Sequence, residues 1–249
     1  MTRRLWVQLA MRIGGFCVIA ARPFSAQVER GAPLPQRPPL TERLESPVAE
    51  FDAAGRPFVQ LVLDLAYGYQ LPLGLEYVDA DAMKQPMNLK LRNERVREVL
   101  LAAVAQLPQY RLEVTPDMLK IYSPKARSDS SNLLNTTIHD FKCLAQSPRM
   151  ASMEVYAAMM SQLHVPCCEA GDVLDSGHPR TVSLDLQDKR VYELLDAIVA
   201  QNGETVWVAL VPPEKLSDRK AKLWEIYGLG PGWERILLRD LRGTFGTGK

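Results

Sequence analysis

The fold is decided by the stretch MNLKLRNERVREVLLAAVAQ, Met87 to Gln106, because the chain repeats it 95 positions later. The second copy runs from Val182 to Gln201 and reads VSLDLQDKRVYELLDAIVAQ. Ten positions are identical without a gap, and in the first copy they are Leu89, Leu91, Arg95, Val96, Glu98, Leu100, Ala102, Val104, Ala105 and Gln106. The sequence therefore predicts one structural unit used twice.

Each copy predicts a strand followed by a helix. Apolar residues alternate with polar ones at the start of each copy, as in a half-buried strand, and from Val96 and Val191 onward they recur at helical spacing. Asn93 and Asp188 stand just ahead of the helices, where we expect their side chains to cap the first backbone amides. Gly203 follows the second helix and predicts its C-terminal cap.

The rest of the chain predicts an α+β protein made of two small tandem α/β sandwich modules, each with two helices packed on a short sheet, and a C-terminal helical tail. The boundaries are a signal peptide at 1–26, a proline-rich spacer at 27–45, a first module at 46–124, a linker at 125–134, a second, diverged module at 135–211 and the tail at 212–249. If the modules are separate, a charge placed at Leu100 or Leu195 should unfold only its own module.

The N-terminus has the layout of a secretory signal. Arg3, Arg4 and Arg12 precede the apolar run from Ile13 to Ala21, which is short for a membrane-spanning helix. We expect export to the periplasm or beyond, with possible association with the cell envelope. The alternative is that the segment stays attached as an anchor.

Composition excludes some roles and leaves others open. A net charge of +1 gives no support to nucleic-acid binding, and four cysteines are too few for a disulfide scaffold. In an exported protein, Cys143 is expected to form a disulfide with Cys167 or Cys168. We expect no catalytic residue, metal or cofactor. The alternative is a small periplasmic enzyme or a metal or redox protein that uses the Cys167-Cys168 loop.

The tail carries an apolar stripe outside both predicted modules. Trp233, Ile236, Leu237 and Leu241 fall at helical spacing, with charged residues between them. We expect a short amphipathic helix that packs on the second module or docks into a groove of a partner protein. Contact with a membrane surface is the weakest of the three alternatives because the apolar face is short.

The stretch from Phe51 to Tyr122 resembles the short N-terminal domain shared by secretins and TonB-dependent transporters. The likeness consists of a first strand ending in Phe51-Asp52, a helix of the Leu61 to Ala66 type, and the repeated strand and helix. The second half resembles it less, chiefly through Thr181 to Gln201. Lys84-Gln85-Pro86 replaces a glycine common in that family. The resemblance implies a non-enzymatic periplasmic module that binds envelope proteins and has no catalytic residues.

Overall fold

The computed structural model describes residues 37–76, 84–165, 180–209 and 224–229. Its helices are α1 (Leu40–Leu44), α2 (Phe58–Gly68), α3 (Val96–Ala105), α4 (Pro124–Ser128), a 3-10 turn (Leu133–Asn135), α5 (Pro148–Gln162) and α6 (Val191–Asn202). Its strands are β1 (Pro47–Asp52), β2 (Leu73–Leu75), β3 (Lys90–Arg95), β4 (Arg111–Val114), β5 (Leu119–Tyr122), β6 (Thr137–Gln146), β7 (Val182–Arg190), β8 (Thr205–Ala209) and β9 (Trp224–Gly228). The predicted α+β class is confirmed.

One five-stranded sheet joins the two halves of the chain, in the order β4-β5-β2-β8-β9. We call residues 38–122 the first half, 137–229 the second half, and 123–136 the connector. At the centre of the sheet, β2 of the first half pairs in parallel with β8 of the second, with Leu73 opposite Val206 and Leu75 opposite Val208. The described residues from Pro38 onward accordingly belong to one compact unit. The structure therefore does not confirm two separate tandem modules with a short sheet each.

A two-stranded antiparallel ribbon flanks the shared sheet in each half. β1 pairs with β3 in the first half, and β6 pairs with β7 in the second. An exposed ion pair between Asp52 and Lys90 on the first ribbon has a counterpart between Lys142 and Asp185 on the second, with the charges exchanged between strands. The two copies of the repeat therefore occupy equivalent places in similar local structures.

The prediction that Asn93 and Asp188 cap the helices is wrong. Both residues lie within strands and have left-handed backbones, with φ of 55° and 51°, and the N-cap positions belong to Arg95 and Arg190. A short polar side chain tolerates this conformation better than most, which gives an alternative reason for Asn and Asp here. The cap at Gly203 is confirmed, since its φ is 70° and its amide donates to the Val199 carbonyl.

α2 is buried on nearly all sides, although helical spacing of Phe58, Leu61, Val62 and Leu65 predicts a single apolar face. Val59 and Leu63 are as buried as the residues of the predicted face. The C-terminal end of α2 reaches the second half, where the Tyr67 hydroxyl donates to the Gly228 carbonyl at 2.8 Å and the Gln70 side chain donates to the Leu229 carbonyl at 2.8 Å. A helix buried over most of its surface is a core helix, and α2 packs within a core to which both halves contribute.

The predicted proline-rich spacer and the predicted linker both contain helical residues. The last residues of the predicted spacer form α1, and Leu40 and Leu44 are buried in the core. The predicted linker contains α4 and the 3-10 turn, each begun by a side-chain cap from Ser123 or Asn132. Serine and asparagine in this stretch therefore cap short helices, whereas their composition alone indicated a loop.

The prediction that residues 212–249 lie outside the folded modules is wrong for β9. Trp224–Gly228 pairs with β8 along its whole length, and Ile226 and Tyr227 are 2% and 1% exposed. The Trp224 ring packs edge-on against Tyr156 of α5, with the ring centroids 5.7 Å apart. Aromatic and β-branched residues favour strands, whereas the double proline Pro212-Pro213 predicts that the second module ends at residue 211.

Within the described ranges, no helix combines the length and the apolar composition needed to cross a membrane.

Candidate binding site at the seam between the halves

A buried carboxylate marks the seam, by which we mean the contact between the two halves around β2 and β8. Glu76 follows β2 directly, and its amide donates to the Ile121 carbonyl at 2.9 Å, so the backbone continues the pairing with β5. The side chain is 1% exposed. Burial raises the pKa of Glu76 from its ordinary value of 4.5 to about 7, against the opposing effect of the Arg127 guanidinium.

Arg127 of the connector pairs with Glu76 and lies between rings from both halves. Its Nε donates to Oε1 of Glu76 at 2.7 Å, and its Nη2 lies 2.7 Å from the same oxygen. The guanidinium carbon is 3.5 Å from the ring centroid of Tyr122 and 4.3 Å from that of Tyr192. Because Tyr122 ends β5 and Tyr192 begins α6, this cation joins the two halves through both charge and ring contacts.

A second buried carboxylate, on α6, connects to the first half across the sheet. Asp196 is 5% exposed, and its Oδ1 accepts a hydrogen bond from the Trp207 indole at 2.9 Å. Nζ of Lys120, on β5, lies 3.2 Å from Oδ2. Burial raises the pKa of Asp196, and the Lys120 ammonium opposes that rise. Removing Lys120 would leave the buried Asp196 carboxylate without this counterion, so the seam depends on the pair staying intact.

Gly74 allows this arrangement, since it lies between Lys120 and Trp207 on adjacent strands. A Cβ at this position would lie 2.6 Å from Nε1 of Trp207 and 2.8 Å from Oδ1 of Asp196. Both distances are shorter than any van der Waals contact, so glycine is required for the indole to reach the carboxylate.

An open cleft of about 310 Å³ lies beside this cluster. Its lining comes from the β4–β5 hairpin of the first half and from β7 and α6 of the second. The lining residues are Thr115, Met118, Lys120, Leu186, Lys189, Glu193, Asp196, Ala197 and Ala200. Apolar, small and charged side chains from both halves share this lining, so the cleft exists only where the two halves meet.

The structure brings together few of the residues that the sequence singled out. Cys143 lies in β6 and is 7% exposed, and burial raises the pKa of its thiol. Cys167 and Cys168 lie outside the described residues, so the disulfide stays a prediction, as do the contacts of Trp233, Ile236, Leu237 and Leu241, which also lie outside them. In the described ranges, histidine, cysteine and acidic side chains form no group of three or more that could hold a metal ion.

Periodicity in the sequence does not predict the seam cluster, although the sequence contains a signal for it. Glu76 directly follows the apolar strand β2, and Asp196 stands between Leu195 and Ala197, where the first copy of the repeat has Leu101. A carboxylate within such a stretch must be paired if it is buried. Its partners come from segments far apart in the chain, which periodicity does not reveal.

In comparisons with known proteins, no protein family, curated protein or solved structure matches this chain.

Proposed function

We propose that the chain is a non-enzymatic component of the cell envelope that binds another protein through the cleft at the seam. The observation that carries this proposal is the shape and lining of the cleft, which needs both halves to form. The neighbouring carboxylates of Glu76 and Asp196 are paired with Arg127 and Lys120 of the same chain. Those charges therefore serve to join the halves, and the cleft offers contact area beside them.

The α6 wall of the cleft suits a helical partner segment. Ala197 and Ala200 are three residues apart on one helix face, and both are half-buried. Small side chains at this spacing leave room for another helix to approach closely. An amphipathic helix laid into a groove is a common mode of peptide recognition, and Met118 and Leu186 provide apolar contacts for it.

The proposed location is the periplasm or the outer face of the cell. Support comes from the basic and apolar segment at the N-terminus and from the resemblance of residues 51–122 to the N-terminal domain of secretins and TonB-dependent transporters. Fractionation of cells that produce the tagged chain should place it outside the cytoplasm. Recovery in the cytoplasm at full length would contradict the location while leaving the cleft to be tested separately.

The binding function is tested by blocking the cleft. Ala197→Arg would place a long cation in it, while Ala102→Arg makes the same change at the repeat-equivalent position on α3, outside the cleft. After chemical crosslinking in intact cells, the same envelope protein should be captured by the wild type and by Ala102→Arg but lost with Ala197→Arg. Equal capture by all three variants would contradict the proposal.

The alternative of an enzyme or a metal or redox protein stays a hypothesis, because Cys167 and Cys168 lie outside the described residues.

A further inference from the structure

Two charged groups that line the cleft, Lys189 of β7 and Glu193, have no ion-pair partner within the described part of the chain. Lys120 pairs with Asp196 and with Glu113, and the Glu193 carboxylate accepts the Arg190 backbone amide at 2.9 Å. An occupant that fits this cleft should therefore combine an apolar stripe with an acidic side chain for Lys189 and a basic side chain for Glu193.

The chain itself contains such a segment. The apolar stripe Trp233, Ile236, Leu237 and Leu241 has charged residues of both signs between its members, the acidic Glu234 and Asp240 and the basic Arg235 and Arg239. In a helix, Glu234 would lie three positions from Leu237, and Asp240 would follow Leu237 by three positions, so both border the stripe. Either carboxylate could meet Lys189 while the stripe contacts Met118 and Leu186.

The strand register places the start of this segment within reach. Gly228 at the end of β9 is opposite Thr205 at the start of β8. Val206, which follows Thr205 in β8, is level with Leu73 of β2 and Leu119 of β5. Leu229 therefore leaves the sheet at the end where Met118 borders the cleft. β9 and β5 are three strand spacings apart, about 14 Å, and the four residues from Leu229 to Trp233 span roughly 14 Å when extended.

We propose that the cleft at the seam is the docking site of the chain's own C-terminal segment, residues 233–241. This inference rests on the proposed binding function and adds its regulation, because a partner helix must displace the tethered segment. A tethered competitor acts at an effective concentration in the millimolar range, so it weakens the binding of a similar free helix substantially.

The test measures binding of a fluorescein-labelled synthetic peptide of residues 231–243 to the full chain by fluorescence anisotropy. In the wild type, the chain's own residues 233–241 should occupy the cleft and compete with the peptide. Leu237→Asp in the chain should weaken this internal docking and so tighten peptide binding at least about tenfold. Adding Ala197→Arg to the Leu237→Asp variant should abolish the gain in peptide affinity, and adding Ala102→Arg should leave that gain intact. Adding Lys189→Glu to the Leu237→Asp variant should also reduce the gain in peptide affinity. Adding Lys125→Glu, which changes an exposed charge outside the cleft, should not.

The proposal is overturned if Leu237→Asp leaves the peptide affinity unchanged, or if Ala197→Arg and Ala102→Arg behave alike. Light scattering tests whether docking occurs within one chain: the wild type should be monomeric. A concentration-dependent dimer that Leu237→Asp abolishes would show docking between copies and would overturn it as well. If the peptide test fails while crosslinking capture still depends on Ala197, only the internal docking is wrong and the binding function stands.

Discussion

Single residues show how the repeat preserves structure. Gln106 and Gln201, equivalent in the two copies, each bind both backbone groups of the residue at the start of their own copy, Asn88 and Ser183. The side-chain oxygen accepts the amide, and the side-chain nitrogen donates to the carbonyl, in both cases. The identity of this glutamine in the two copies therefore has a physical cause, since no other side chain of that length both donates and accepts in this way.

Gly74 is the residue at which a single methyl group should matter most. We expect Gly74→Ala to lower the free energy of unfolding by about 1–3 kcal/mol, because the added Cβ would overlap the Trp207 indole and the Asp196 carboxylate. Gly68→Ala, at the end of α2 where a Cβ meets nothing within 4 Å, is the control and should be neutral or slightly stabilising. Urea denaturation followed by tryptophan fluorescence measures both; equal effects of the two changes would refute the close approach at Gly74.

Glu76 should make the chain more stable as the pH falls. Its pKa is about 7 in the folded chain and near 4.5 when unfolded, so the folded chain binds the proton more tightly. The free energy of unfolding should therefore rise as the pH falls from 8 toward 5, by up to about 3 kcal/mol, and this gain is lost as the pH rises through 7. Asp196 shifts in the same direction.

Glu76→Gln removes this titration while keeping a side chain of similar size. Its stability should vary less between pH 5 and pH 8 than that of the wild type, measured by urea denaturation at each pH. Parallel pH profiles for the two proteins would mean that Glu76 has an ordinary pKa.

At the scale of helices and strands, the spacing of apolar residues predicts the type of an element but not its pairing partner. The strand and helix of each repeat copy follow from alternating and helical spacing of apolar residues, and the same spacings occur in α2, α5 and the β4–β5 hairpin. β9 was missed because its own pattern does not say which strand it pairs with, and a double proline stands between it and β8. The seam was missed because pairing of β2 with β8 joins residues more than 130 positions apart.

β9 should contribute strongly to stability, although it was predicted to belong to a tail. A chain ending after Pro213 lacks Trp224, Ile226 and Tyr227, all buried, and should lose several kcal/mol of unfolding free energy or fail to fold. A chain ending after Gly230 keeps every described residue and should unfold cooperatively with far less loss. Circular dichroism melting compares the two, and equal melting temperatures would show that β9 is dispensable.

For the whole molecule, the two halves support each other. Tyr67 of α2 donates a hydrogen bond to the Gly228 carbonyl, Gln70 just after α2 donates to the Leu229 carbonyl, and Asp196 of the second half pairs with Lys120 of the first. The expectation that each half unfolds alone is therefore replaced by one of joint unfolding, because opening either half exposes buried surface of the other.

Native-state hydrogen exchange tests this joint unfolding most directly. Leu195→Ala removes a fully buried side chain from α6 in the second half and should lower its unfolding free energy by about 2–5 kcal/mol. If the chain is one folding unit, the slowest-exchanging amides of β5 and α3 in the first half should lose protection by the same amount as those of α6. First-half amides that keep wild-type protection, while α6 loses it, would contradict the shared fold and restore two independent modules.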